Sequence, residues 1–158
     1  MTYFDIFNGD ADGICALQQL RLQEPRDAEL ITGMKRDIDL LRRADIKPGD
    51  LVTVLDVSLD KNRDALIDAL QSGARVFYAD HHYPGDIPTD KNLECHIDVD
   101  ANTCTSLIIN QYLNNSQAKW AVVGAFGDNF DQAASELGRS IGLDQAQLDE
   151  LQQLGICL

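Results

Sequence analysis

Acidic and imidazole side chains fall in short groups, each directly after an apolar run. Asn8-Gly9-Asp10-Ala11-Asp12-Gly13 follows the run Tyr3–Asn8, Asp56-Val57-Ser58 follows Leu51–Leu55, and Asp80-His81-His82 follows Arg75–Ala79. Farther on, Gly127-Asp128-Asn129 closes an apolar helical stretch. Taken singly, an aspartate after a strand reads as a helix N-cap or turn residue. Taken together, Asp10, Asp12, Asp56, Asp80 and Asp128 with His81 and His82 describe something else. Carboxylates crowded into one crevice repel each other and stay ionised at neutral pH when a cation sits among them. Aspartate oxygens mixed with imidazole suit manganese better than a thiolate-loving metal. Asp10 and Asp12, two apart beside Gly13, can point at two neighbouring ions, and Gly9 and Gly13 permit close backbone approach.

These groups need a scaffold that brings strand ends together. Short apolar runs alternating with helical stretches predict a mainly parallel sheet flanked by helices, an α/β Rossmann-like domain. In such sheets ligands bind at the carboxyl ends of the strands. Strands are expected at Tyr3–Asn8, Leu30–Met34, Leu51–Leu55, Arg75–Ala79 and Cys95–Val99. Leu59, Leu66, Ile67 and Leu70 share one helical face that ends at Gly73. A helix over Ile14–Leu22 is followed, from Thr103 on, by a helical C-terminal part: Thr103–Leu113, Lys119–Phe126, Phe130–Ser140 and Asp144–Leu154. Asp144 with Gln147 three residues later is a start signal, and Gly155 is expected to stop that last helix.

A chain of 158 residues is long enough for one buried core without a disulfide or zinc staple. Cys15, Cys95, Cys104 and Cys157 lack C-x-x-C spacing and read as free thiols. Thirteen basic against 26 acidic residues leave a net charge of −13, which disfavours long polyanions such as duplex nucleic acid. The residues at the start carry no secretory pattern, and no apolar run approaches a membrane span. A cytoplasmic location is the expectation. The apolar run Ile156-Cys157-Leu158 suggests a fragment whose connection to a further domain was cut.

The ordered set GDADG, LDVS, ADHH and GDN resembles the four motifs of the DHH phosphoesterase superfamily, whose members include RecJ-like exonucleases, oligoribonucleases, cyclic-dinucleotide phosphodiesterases and manganese inorganic pyrophosphatases. Intervals of 44, 24 and 48 residues separate Asp12, Asp56, Asp80 and Asp128. The stretch Thr103-Cys104-Thr105-Ser106 resembles the small-residue helix that follows the third motif. The motifs lie within residues 8–129 of a DHH domain spanning 1–158, and the RecJ-like and oligoribonuclease-like branch is the nearer one.

The resemblance implies that Asp10 binds one metal and Asp12 the other, that Asp56 bridges both, and that His81 and Asp128 complete the second. Asp80 would orient a histidine, and His82 would meet the substrate phosphate, so that Asp56 and His82 carry the chemistry. Two manganese ions, with magnesium as the substitute, would clamp the phosphoryl group around a shared water. Many members carry a histidine two or four residues before the first aspartate. Here those positions are Asn8 and Ile6: Ile6 cannot coordinate, and Asn8 offers only a neutral amide oxygen as an optional ligand. Members usually carry a C-terminal substrate-binding domain after this one, so the chain is expected to be a fragment of a parent protein that holds it, with a stand-alone protein as the alternative.

The expected function is metal-dependent hydrolysis of phosphodiesters in short single-stranded oligonucleotides or cyclic or linear dinucleotides. The alternatives are a pyrophosphate or polyphosphate hydrolase and a silent metal- or nucleotide-binding regulatory module. No membrane partner is expected, and a homodimer is compatible with the sequence. Lys35 and Arg36, in a basic cluster with Arg42, Arg43 and Lys47, could guide a phosphate chain, although a solvated helix face is the plainer reading. His96 reads as a strand histidine satisfied by the backbone, and Trp120 as core.

Overall fold

A computed structural model describes residues 1–34 and 37–158. Lys35 and Arg36, read first as a solvated helix face and second as a guide for a phosphate chain, lie outside the described residues. Five strands form one parallel sheet: β1 (Tyr3–Asn8), β2 (Glu29–Gly33), β3 (Leu51–Leu55), β4 (Arg75–Asp80) and β5 (Leu93–Ile97), in the order β2-β1-β3-β4-β5. The α/β class expected from the alternating pattern is the one observed. After β2 the chain returns to pair β3 with the other side of β1, so the crevice above β1 and β3 is a topological switch point, where such sheets bind ligands.

Alternation along the strands divides the core. Phe4, Ile6, Val52, Val54, Val76 and Tyr78 face α2 (Leu59–Ser72), which packs Leu59, Leu66 and Leu70 onto them. Phe7, Leu55 and Ala79 face the other way, toward Ala16 and Leu17 of α1 (Ala11–Gln23) and Ile108 and Ile109 of α3 (Thr105–Tyr112). A third cluster joins Cys104, Val122, Phe126, Ala134 and Leu148 and holds α4 (Ala118–Gly127), α5 (Asp131–Ser140) and α6 (Gln145–Cys157) together. Among the described residues no helix is long and apolar enough to cross a membrane.

Several sequence expectations need correction. Gly155 does not stop α6, which runs on to Cys157. It is buried where α6 crosses α4, and a Cβ there would collide with the Val123 carbonyl and lie 2.8 Å from the Gly127 nitrogen. Close helix approach accounts for this glycine. The start of α6 is as expected: the Asp144 carboxylate accepts from the Gln147 amide at 2.9 Å and Gln147 returns the bond at 3.0 Å, closing a capping box. A short 3-10 turn, Leu41–Arg43, was not anticipated; Asn62 holds it by accepting from the Leu41 amide at 3.2 Å. Trp120 is only partly buried. His96 pairs with the side chain of Glu94 at 2.9 Å and packs against Phe77 and Tyr112, so its partners are side chains.

Candidate metal centre

The first turn of α1 starts directly from β1. Asp10 is its N-cap and accepts from the Gly13 amide at 3.3 Å, so this aspartate does serve as a cap. A Cβ at position 13 would collide with the Asn8 carbonyl, which is why the motif ends in glycine. Asp12, one turn position later, is fully buried and turned toward α3. Its two oxygens accept from the amides of Thr105 at 2.8 Å and Ser106 at 2.7 Å. The cap residue Cys104 supplies no side-chain acceptor to α3. Asp12 supplies one from another helix, where its charge also suits the positive end of the α3 dipole.

Asp56 follows β3 with φ +57°, a left-handed conformation uncommon outside glycine, asparagine and aspartate. Its carboxylate accepts from the Thr105 hydroxyl at 3.1 Å and from the Asn8 amide at 3.1 Å; the same amide reaches Asp10 at 2.9 Å. Asn8 therefore presents its nitrogen to the carboxylates, where a ligand role calls for its oxygen. Asp80 is the last residue of β4 and fully buried; one oxygen meets His82 Nδ1 at 2.7 Å and the other has no hydrogen-bond partner among the described residues.

His81 is the meeting point. Its Nε2 lies 3.4 Å from Asp56, 3.6 Å from Asp128 and 4.0 Å from Asp12. The Phe130 ring closes over it edge-on at 5.7 Å. Asp128 arrives from the end of α4 across the crevice and joins the strand-end acids, beside His81 as the resemblance implies. Among the described residues, two groups have ligand atoms close enough for an ion: Asp56 with His81 and His82, and Asp12 with His81 and Asp128. The residue common to both is His81, whereas the resemblance gave the bridging place to Asp56. Asp10 lines the cavity without belonging to either group.

Burial and like charges shift the titration of the clustered groups. Burial, then the neighbouring Asp12 charge, push the Asp56 carboxyl up to about 8, against the opposing contact with His81. Burial alone would lower His81, but contact with Asp56 and the charges of Asp12 and Asp128 outweigh it and raise the imidazole to about 9. Asp80 raises His82, against some burial. Both shifts favour the protonated forms, which offset part of the negative charge gathered here. The donor set of carboxylate oxygens and imidazole nitrogens fits a hard or borderline divalent ion such as manganese or magnesium. The thiols nearby stay protonated: burial, then the negative charges of Asp12 and Asp10, push Cys15 up to about 12.

A cavity of about 290 Å³ opens over the cluster, with Asn8, Asp10, Asp56, His81, His82 and Asp128 on one side. Asp37, Ile38, Ser58 and Lys61 line the other. None of those four, nor Thr105, was assigned a role from sequence. Of the basic cluster, Arg42 pairs with Asp39 and Asp64, Arg43 with Asp37 and Lys47 with Asp45, so these three are solvated, paired side chains.

No protein-family model matches the chain, and no curated protein matches it. Among solved structures, RecJ from Thermus thermophilus, determined in complex with Mn2+, is similar with a TM-score of 0.52 and 16% identity. The similarity covers 97% of this chain and 32% of that RecJ chain, so this chain spans about a third of its length. At this identity the likeness is one of fold: the chain shares the RecJ-like arrangement of a parallel sheet with flanking helices.

Proposed function

We propose that the chain is a divalent-metal-dependent phosphoesterase domain that hydrolyses phosphodiester bonds in short oligonucleotides or cyclic or linear dinucleotides. The observation that carries this reading is the convergence of Asp12, Asp56 and Asp128 on His81 Nε2 within 4.0 Å, at the switch point of the sheet. Asp12, Asp56, Asp128 and His81 would hold the ions, with Asp10 and Asn8 beside them. Bound manganese or magnesium would neutralise charge on the phosphoryl group and lower the pKa of a water.

The chain's own residues do the rest. His82 stands half-exposed at the cavity with its Nδ1 held by Asp80, which leaves Nε2 to donate to a phosphate oxygen. Thr105 fixes the Asp56 carboxylate, and α3 fixes Asp12, so neither must reorganise when substrate arrives. The open, acidic surroundings favour short substrates, whose few charges the bound ions can offset.

A second reading is a metal- or nucleotide-binding module without turnover. It is favoured by Asn8, whose amide nitrogen occupies the side of Asp56 and Asp10 where a further ligand would stand. Manganese-dependent hydrolysis of a dinucleotide, followed by release of mononucleotide, separates the two. The phosphoesterase reading expects turnover in the native chain and its loss in Asp56→Ala. Manganese binding with no turnover selects the silent module, and turnover undiminished in Asp56→Ala overturns the proposed centre.

A further inference from the structure

The two faces of the sheet are not equivalent. Facing α2, the strands are apolar along their length, from Phe4, Val52 and Val76 to Ile6, Val54 and Tyr78. Facing α1 and α3, the carboxyl half is wholly apolar, at Phe7, Leu55 and Ala79, whereas the amino half mixes Leu51 and Phe77 with polar side chains. The amino half of that face carries Asp5, Thr53, Arg75 and Glu94 around Phe77, in adjacent register positions. Over this polar half, between the last turns of α1 and α3, lies a cavity of about 530 Å³. That is within the range of small-molecule sites and larger than the cavity over the metal centre. The two cavities share no lining residue and stand at opposite ends of the strands.

Its charges do not cancel. Arg21 is neutralised by Asp5, which it meets at 2.6 and 2.7 Å, and Arg26 by Glu24 at 2.7 Å. Glu94 is held by His96 at 2.9 Å. Arg75 and Lys91 are exposed at the cavity, and among the described residues neither has a carboxylate within 4.0 Å. With Glu94 still counted as negative, the two cations without a carboxylate partner leave this cavity one positive charge in excess, a local anion-attracting surface on a chain of net charge −13. The carboxyl ends of α1 and α3 oppose this, but Arg21 donates to the Glu24 carbonyl at 3.3 Å and blunts the nearer one. Beside the cations stand flat apolar surfaces: Phe77 and Tyr112 pack with ring centroids 5.1 Å apart, and Tyr112 is 42% exposed. Cations beside an aromatic shelf match a ligand with a phosphate at one end and a planar ring at the other.

We propose that this cavity binds a nucleoside monophosphate, its phosphate on Arg75 and Lys91 and its base against Tyr112 and Phe77. The site would be an effector site, and it does not depend on the reading of the metal centre. The test is calorimetric titration of the full chain with adenosine 5′-monophosphate in the presence of a chelator. One saturable site is expected, weakened about tenfold or more in the double variant Arg75→Glu/Lys91→Glu and several-fold in Tyr112→Ala. Arg75 and Lys91 are exposed, so far-ultraviolet circular dichroism of the variant should be unchanged. Affinity is expected to persist in Asp56→Asn, and adenosine or inorganic phosphate alone should bind about tenfold more weakly. Absence of saturation at millimolar ligand overturns the proposal, as does undiminished binding by the double variant. So do loss of binding in Asp56→Asn, which would locate the ligand at the metal centre, and equal affinity for inorganic phosphate, which would remove the ring from the recognition.

Discussion

Thr105 donates its hydroxyl to Asp56 at 3.1 Å while its backbone amide donates to Asp12 at 2.8 Å. One residue at the start of α3 thus ties together two buried carboxylates that come from β3 and α1. The helix and the acids position each other, which rests the geometry of the centre on a residue far in sequence from the strands that carry the acids.

Replacing Thr105 by valine keeps the shape and the amide but removes the hydroxyl donor. Asp56 then keeps its proton more readily, and manganese affinity should fall about tenfold, as for other groups that orient metal ligands. The metal-free protein should lose about 1 kcal/mol. Thr105→Ser should restore both. Calorimetric titration with manganese, beside urea unfolding in chelator, reads the two effects separately.

Asp12→Asn tests the cap. An amide in place of the carboxylate turns one acceptor into a donor that faces the Thr105 or Ser106 amide. Loss of the charge at the α3 terminus adds to the cost. The metal-free variant should be less stable by about 2 kcal/mol. If Asp12 served only as a metal ligand, removing its charge would relieve repulsion and the metal-free variant would gain stability in urea.

The strand-end acids could be read from the sequence because each follows an apolar run that had to be a strand. The role of Thr105 could not, for a physical reason. A helix normally declares its start by a local cap, whereas α3 opens on Cys104 with no side-chain cap and takes its acceptor from a residue 93 positions away. Such a partner leaves no nearby pattern. Gly155 shows the converse problem: a glycine near a helix end looks the same locally whether it breaks the helix or lets another backbone approach. The meeting of Asp128 with His81 depended on how α4 returns to the sheet, which periodicity does not specify.

Gly155→Ala should destabilise the protein by about 1–3 kcal/mol, since the added methyl meets backbone atoms of α4 that cannot turn aside. The strain falls on Gly127, next to Asp128, so manganese affinity should fall as well. A glycine that acted as a helix stop would instead give an unchanged or higher midpoint in thermal unfolding.

The metal-free protein should lose stability as pH rises. His81 is raised from its ordinary 6.5 to about 9, so its contribution is complete below 6.5 and disappears as pH passes through 9. Asp56, raised from 3.8 to about 8, acts in the same direction, because the folded state holds a proton that the unfolded state has released. Denaturant unfolding in chelator between pH 6.5 and 9 should therefore give a falling midpoint, and His81→Gln should flatten the fall. Saturating manganese should reverse it, since the ion takes the place of the protons.

Whether Asp12, Asp56, Asp128 and His81 form a metal centre is decided by titrating chelator-treated protein with manganese. Saturable binding of two ions by the native chain is expected, with release of protons at neutral pH and diminished binding in Asp56→Asn. Failure of the native chain to bind, or equal binding by Asp56→Asn, would refute the centre.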